Sequence, residues 1–475
     1  MIWRGRKLHL IAVGGTGMSG LALVAAELGA EVTGSDRQAS SYTERLVENG
    51  IAVTIGHDAA NVPAGADVVI STAISADNPE LLRAGEFGLR VIHRSDLLAE
   101  LVAAKPRCIA VAGTHGKTTT TAMIAHVLSE LGADPAFFVG GEVRVAGGVV
   151  NAHWGDGDIA VVEADESDRS HLKLNPDVGV VTNVELDHHP AYAGGIDELL
   201  DAFGEYAGNS GYCVAWRGQS ELARLNGRGG GVGYGIARDG DSDGEFASPA
   251  AGFAAGDFVA YDVSTPTDPT RGSSFELRRG GEVLAVELGI RGEHNVLNAL
   301  AVLAALDRLG IPPATAAAPL GGFGGVARRF ELLGETPSGA HVYDDYGHHP
   351  TEVRAALRNA RGVAGNGRVV AVFQPHLFSR VVLMGREFGR ALALADVAIV
   401  LDVYPSRERK ADFPGVCGFQ VATQTYDARP GMAVHWAPGF DDARATLARE
   451  LRAGDICITI GAGDISEFAH ELVRP

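Results

Sequence analysis

Lysine is nearly missing from this chain. Among 475 residues it occurs only at Lys7, Lys105, Lys117, Lys173 and Lys410, so chemistry that needs an ammonium group has few candidates. Basic charge as a whole is in deficit: Lys+Arg 40 against Asp+Glu 59 gives a net charge of -19, which disfavours non-specific association with nucleic acid or an anionic membrane. Cysteine is sparse too. Cys108, Cys213, Cys417 and Cys457 lie far apart with no C-x-x-C pair, which argues against a disulfide framework or a zinc ribbon and leaves reduced core thiols as the expectation. No apolar run approaches the ~18 residues of a membrane span. The short apolar stretch after the first basic residues breaks at Gly14-Gly15 with no small-residue cleavage site beyond it, so a cytoplasmic protein is expected.

What the chain does have is ordinary globular material, with 46% hydrophobic and 21% charged residues. At roughly 100 to 200 residues per domain, its length suits about three domains. Short apolar runs at 8–13, 31–34, 67–70, 108–112, 159–162 and 178–181 alternate with helix-like segments, the pattern of a mostly parallel α/β architecture with helices on both faces of each sheet. The rhythm restarts after Lys105-Pro106. It restarts again after a helix at 295–309 that stops at Gly310 before Pro312-Pro313 and runs into the glycines of 321–325. These breaks divide the chain into expected domains 1–104, 105–322 and 323–475. The Gly-, Ala-, Asp-, Ser- and Pro-rich stretch 227–281 reads as hairpins and exposed loops decorating the middle domain, with a disordered insert as the alternative.

Two glycine turns carry the chemistry. In the first, the strand at 8–13 runs into Gly14-Gly15-Thr16-Gly17-Met18-Ser19-Gly20 and a helix at 21–28, a G-x-G-x-x-G at Gly15, Gly17 and Gly20, with Asp36 ending the next strand. Such a turn lets backbone approach a pyrophosphate at a helix N-terminus, while an acid can accept from a ribose. Taken alone it suggests a nicotinamide dehydrogenase, or a tight turn needed only for packing; what it specifies is the diphosphate of a nucleotide. In the second, the strand ending at Ala112 leads into Gly113-Thr114-His115-Gly116-Lys117-Thr118-Thr119. Gly116-Lys117-Thr118 is the working end of a phosphate loop: amides cradle phosphates, the lysine bridges the β and γ groups, and the threonine hydroxyl ligates Mg2+. The full G-x-x-x-x-G-K-[ST] spacing fails, because Val111 stands at its first glycine; Gly113 can supply the turn instead. Beyond lies the acidic run Glu163, Asp165, Glu166, Ser167, Asp168 after another apolar strand, where a sheet binds ligands and where Mg2+ finds oxygens; a solvated acidic loop is the alternative. A further strand delivers Thr182 to His189 to the same edge.

Read in order, VGGTGMSGLA, GTHGKTTTT, VEADESD, TNVELDH, EHNVLNALA, GVARRFE, DDYGHHPTEV, FQPHLFSR, DVYPSRE and GAGDI make the chain resemble the Mur ligase family over about residues 8 to 465, more weakly across 190–285. The resemblance implies three domains: a Rossmann-like N-terminal domain, a central P-loop-type ATPase domain with a mostly parallel sheet, and a C-terminal Rossmann-like α/β domain. It implies an ATP-dependent ligase, and by its alanine-adding branch the substrates UDP-N-acetylmuramate and L-alanine. It assigns Lys117 and Thr118 to ATP and the first Mg2+, and Glu163 and His188 to metal. Asn295 is assigned to adenine, Arg329 to phosphate and Asp345 to ribose. Ser167, Tyr346, His348, His349, His376 and Arg380 belong around the reacting acid and the amine. The first turn (Gly15, Thr16, Gly17, Met18, Ser19, Gly20), with Asp36, Ser71 and Thr72, would then hold the UDP-sugar, with no redox cofactor. The chain departs from the family at Pro190, Ala327 and Glu293. No lysine lies between Lys173 and Lys410, so the carbamylated lysine of several members has no counterpart at its usual place. A ligase that reattaches a recycled tripeptide to the same sugar nucleotide, a nucleotide-dependent dehydrogenase and a non-catalytic nucleotide-binding scaffold are the alternatives.

Overall fold

A computed structural model describes residues 3–145, 148–187, 191–238, 247–249, 253–268 and 270–474. The chain forms two compact units. The first comprises Met1–Val263, Phe275–Glu287 and Asn295–Gly324; the second comprises Ser264–Ser274, Leu288–His294 and Gly325–Pro475.

The first unit contains two sheets. The N-terminal sheet is built from β1 (Lys7–Ile11), β2 (Glu31–Asp36), β3 (Ala52–Ile55), β4 (Asp67–Ile70) and β5 (Val91–His93) in the order β3-β2-β1-β4-β5. All its pairings are parallel. It is wound by α1 (Thr16–Glu27), α2 (Ser41–Glu48), α3 (Pro79–Glu86) and α4 (Arg94–Val102). Leu8, Leu10 and Ile11 of β1 are fully buried, as a central parallel strand covered on both faces requires. Strand order reverses between β1 and β4, so the crevice beyond their C-terminal ends is where such a sheet takes a ligand.

The central sheet follows, built on β6 (Arg107–Ala112), β7 (Ala136–Val145), β8 (Gly148–His153), β9 (Ile159–Glu163), β10 (Val178–Val181) and β11 (Tyr212–Trp216). It continues through β12 (Gly231–Arg238), β13 (Ala247–Pro249), β14 (Phe258–Ser264), β15 (Ser274–Arg279) and β16 (Glu282–Glu287). β6 lies between β9 and β10 and runs parallel to both, so whatever follows these three strands converges at one edge. The main helices are α5 (Lys117–Glu130), α6 (Ile196–Asn209), α7 (Glu293–Arg308) and the short α8 (Pro313–Ala317). From Val296 to Leu306 α7 is buried on every side, as a helix apolar all round must be. The stretch expected to decorate this domain with hairpins is instead largely sheet. β12 pairs in parallel with both β11 and β14, while β15 and β16 are joined as neighbours by the positive-φ pair Gly280-Gly281. Gly231, Gly233 and Gly235 alternate along β12 with buried Val232, Tyr234 and Ile236, so one residue of every two gives composition no strand signal. Residues 239–246, 250–252 and 269 of that stretch lie outside the described residues.

The second unit holds β17 (Glu331–Glu335), β18 (His341–Asp345), β19 (Val369–Phe373), β20 (Val397–Val400), β21 (Ala433–Trp436) and β22 (Ile456–Ile460), in the order β17-β18-β22-β19-β20-β21. It is parallel except for the edge pair β17–β18. Its helices are α9 (Pro350–Ala364), α10 (Phe378–Leu392), α11 (Gly418–Ala428), α12 (Phe440–Glu450) and α13 (Ile465–Leu472). The three sheets give the expected α/β class. Cys108, Cys213 and Cys457 are buried thiols, but Cys417 is only half-buried, because it sits at the N-terminus of α11 and not in a strand.

Candidate active site

The first glycine turn is shorter than its sequence suggests. α1 begins at Thr16, so Gly15 is its N-cap and Gly17 and Gly20 are helical. Gly15 and Gly17 are exposed and Thr16 half-buried, whereas Met18, Ser19 and Gly20 face inward. A Cβ on Gly20 would come within 2.9 Å of the Ala152 side chain, so this glycine serves close approach of α1 to β8. Asn151 of β8 seals the same contact, its Nδ2 donating to Thr16 O at 2.5 Å and Ser19 Oγ at 3.1 Å. The surface offered to a ligand is therefore Gly15 to Gly17, where the Thr16 and Gly17 amides open a helical turn, the Gly15 N–H being donated to Ala12 O at 3.3 Å. No side chain caps this helix and no acid stands in its first turn. Asp36, at the end of β2, takes the Gly14 N–H on Oδ2 at 2.8 Å and the Gln38 N–H on Oδ1 at 3.3 Å. It braces the turn from behind. Ser71 and Thr72 follow β4 at the same switch point, Ser71 half-buried and Thr72 exposed.

The second turn is fixed by glycine geometry. Gly113 has φ +133° and a Cβ there would run into Thr182 Oγ1; Gly116 has φ +81° and a Cβ there would fall 2.7 Å from Asn298 Oδ1. Loop 182–187, arriving from β10, laces the turn in place. Thr114 N–H donates to Asn183 O (2.9 Å), and His115 N–H to Asn183 Oδ1 (2.9 Å). The Thr182 hydroxyl and Asn183 Nδ2 both donate to His115 O, at 2.6 and 3.0 Å. The His115 ring lies 3.3 Å from Glu185 Oε2. Asn295, buried on α7, accepts at 3.0 Å from Asn298, so its place behind the turn is set through the residue that confronts Gly116.

Lys117 opens α5 and turns back over its own loop. Its Nζ donates to Gly113 O (2.7 Å) and Thr114 O (3.0 Å) and pairs with Glu166 Oε2 at 2.8 Å. Burial pulls the lysine pKa down, but Glu166, Glu163 and Asp165 outweigh it, so the ammonium is held charged. Glu166 is pushed up to about 7 by burial, against the pull of Lys117. Thr118 Oγ1 donates to Glu163 Oε1 at 3.2 Å, while Glu163 Oε2 takes the Gly140 N–H at 2.7 Å. A hydroxyl and a carboxylate converging beside a phosphate loop are the hard oxygen donors that suit Mg2+. Thr119 is buried in the first turn of α5 and Ser167 is half-buried, its N–H on Asp165 Oδ1 at 2.9 Å. His188, the other expected metal residue, lies outside the described residues, as do His189 and the departure at Pro190.

In the second unit, Tyr346, His348, His376 and Arg380 come together. Tyr346 meets His348 edge-on with centroids 5.4 Å apart, and the His348 and His376 rings are 5.7 Å apart. Buried Arg380 reaches His376 Nδ1 at 3.0 Å, so that nitrogen accepts and the ring proton is on Nε2. Arg328 and Arg329 both lie over the Tyr346 ring, at 5.0 and 5.2 Å. His349 turns away from this group: its side chain accepts the Thr351 N–H and caps α9. Asp345 takes the Phe330 N–H at 2.9 Å and the Gly347 N–H at 2.8 Å, and burial raises its pKa to about 7 against the opposing Arg329. One oxygen thus braces the turn after β18 and the other the segment leading into β17.

Sequence reasoning did not single out Arg94, Glu166 as the partner of Lys117, or Asn298. Arg94 follows the C-terminal end of β5, on the ligand-binding edge of the first sheet, and that position was the available signal. Asn298 sits one helical turn beyond Asn295 in a motif already noted.

Three family models match the chain: "Mur ligase family, catalytic domain" over 7–106, "Mur ligase middle domain" over 111–306 and "Mur ligase, glutamate ligase domain" over 328–463. A UDP-N-acetylmuramate–L-alanine ligase of Streptomyces griseus is 42% identical, covering 98% of this chain and 96% of its own. One from Kineococcus radiotolerans is 44% identical with the same coverage. Among solved structures, a UDP-N-acetylmuramate-alanine ligase from Thermotoga maritima superposes with a TM-score of 0.81 at 28% identity, over 98% of each chain.

Proposed function

The chain belongs to the Mur ligase family, and from this premise we propose that it joins L-alanine to the lactyl carboxylate of UDP-N-acetylmuramate at the expense of ATP. The observation that carries the reading is near-complete coverage by alanine-adding relatives at 42–44% identity, together with a lysine-bearing turn built for a triphosphate. No described helix is long and apolar enough to cross a membrane, and we place the reaction in the cytoplasm.

A carboxylate does not react with an amine. Transfer of the γ-phosphoryl group onto it gives ADP and an acyl phosphate; the amine of L-alanine then attacks the acyl carbon, and the tetrahedral intermediate expels phosphate. In the proposed division, residues 1–104 hold the sugar nucleotide, 105–322 hold ATP, and 323–475 complete the ligase site. Thr16 and Gly17 offer amides to the UDP diphosphate and Gly15 lets it approach the backbone, with Asp36 supporting the turn and Ser71 and Thr72 at the switch point. Gly113 to Thr119 wrap the triphosphate, and Lys117 carries positive charge to the β and γ groups as the phosphoryl group moves. Asn295 lies behind that turn on the adenine side, with Arg329 for phosphate and Asp345 for ribose. Thr118 and Glu163, with His188 by family match, would hold Mg2+, which supplies Lewis-acid charge to the phosphoryl oxygens. Tyr346, His348, His376 and Arg380 take the carboxylate and amine of the incoming amino acid, with Ser167 on the acyl side; a guanidinium fork suits a carboxylate. Phosphate release measured with UDP-N-acetylmuramate and ATP, while L-alanine, glycine, L-serine and the murein tripeptide are exchanged, tests the assignment. Dependence on L-alanine supports it and an equal response to the tripeptide overturns it.

A further inference from the structure

Arg94 is the first residue of α4 and its guanidinium is clasped from one side only. Nη2 donates to Asp165 Oδ2 at 2.6 Å and Asp168 Oδ2 at 2.9 Å, two carboxylates of the acidic segment that also flanks Lys117. His93, just before it, caps α4 and stands 3.8 Å from Asp168, while Lys173 pairs with Asp96 at 2.6 Å. The start of this helix is therefore pinned to that segment by the two ion pairs of Arg94. Nη1 makes no hydrogen bond among the described residues. It lies 3.4 Å from where a Cβ on Gly17 would be, beside the exposed amides of the first glycine turn. A Cβ at 17 would just touch the guanidinium, and glycine leaves that space open to a ligand.

The geometry points to Arg94 as a binding residue for the sugar-nucleotide diphosphate, held in place by Asp165 and Asp168 and presenting Nη1 to the phosphate oxygens over Gly17. The inference rests on the reading of the first turn as the UDP-sugar site and adds to it the cation that a turn of bare amides lacks. A diphosphate brings about two negative charges into a protein of net charge -19, and a fixed guanidinium is the group that grips phosphate oxygens in a defined orientation. Because Asp165 sits between Arg94 and Lys117, the same residue joins the sugar-nucleotide turn to the carboxylates of the phosphate loop.

The test is calorimetric titration of the full chain with UDP, UDP-N-acetylmuramate and ATP separately, in the wild type, Arg94→Gln and Arg94→Lys, with uridine affinity read by competition. Arg94→Gln is expected to weaken UDP and UDP-N-acetylmuramate at least tenfold and leave ATP and uridine within about twofold, with Arg94→Lys in between. A purely structural role would lower uridine affinity in step with UDP, and that result overturns the proposal, as does wild-type UDP affinity in a folded Arg94→Gln protein. If circular dichroism shows that Arg94→Gln does not fold, Arg94→Lys decides, because a lysine has one nitrogen where arginine uses Nη2 for the carboxylates and Nη1 for the diphosphate: at least a threefold loss for UDP supports the proposal, and an unchanged affinity sinks it. Failure of the wild type to bind UDP at all would remove the first-turn assignment itself, and the proposal with it.

Discussion

Replacing Gly116 by alanine tests how the phosphate loop is held. The residue sits at φ +81°, where an L-residue costs roughly 1–2 kcal/mol. The new methyl would also stand 2.7 Å from Asn298 Oδ1, so Asn298 must turn and release its hydrogen bond to Asn295, a loss of about 1 kcal/mol. Together these come to about 2–3 kcal/mol if the backbone stays put. If the loop yields instead, its amides swing off the triphosphate, and each ~1.4 kcal/mol of lost binding raises the KM for ATP about tenfold. Gly132→Ala is the internal control. It lies just beyond the other end of the same helix at φ +75° with nothing within 4 Å of its Cβ, so it carries the backbone cost without the collision. The assay pairs urea midpoints from tryptophan fluorescence, compared as midpoints because a multidomain chain need not unfold in two states, with the KM for ATP. Gly116→Ala should lose more on one measure or both, and Asn298→Ala in the same chain should return part of the loss. Equal midpoints for the two glycine variants with a wild-type KM for ATP would refute the reasoning.

Three further outcomes are expected. Lys117→Ala should abolish phosphate release while UDP-N-acetylmuramate binding survives, since the two turns follow strands of different sheets; loss of that binding in calorimetry would end the division of labour. Asp345, with its folded pKa raised by burial to about 7 from the ordinary carboxylate range near 4, favours the folded state most below pH 4, and this contribution is lost as pH rises toward 7; Asp345→Asn should flatten the fall in urea midpoint between pH 4 and 7, and an unchanged slope would count against it. Arg380→Ala frees the His376 ring to change tautomer, so the KM for L-alanine should rise at least tenfold with the KM for ATP within about twofold, read from initial rates; parallel rises in both would show general damage instead.

The parts of the fold that were legible are those where residue type and environment coincide. At 108–112 and 178–181 unbroken apolar runs lie in the middle of a parallel sheet, and each strand is found there. The first glycine motif was legible as a nucleotide turn but not in its extent, because helical geometry continues through Gly17 and Gly20, where absent side chains serve packing on β8 and room beside Arg94. β12 was lost among glycines, since the partners that make it a strand lie elsewhere in the chain. The resemblance grouped Tyr346, His348, His376 and Arg380, which the fold brings together, whereas the capping role of His349 depends on a helix start fixed by Pro350 and Glu352. Arg94 left no motif, because its significance comes from carboxylates more than 70 residues away.

The ammonium of Lys117 already has an anion beside it before any nucleotide arrives. Entry of a triphosphate is therefore a swap of counter-ions within the loop, and binding is weaker by whatever Glu166 gives up. On the way out the trade runs in reverse: once the terminal phosphate has gone, Glu166 is at hand to reclaim the cation, so the spent nucleotide competes with an internal rival for the lysine and leaves more readily.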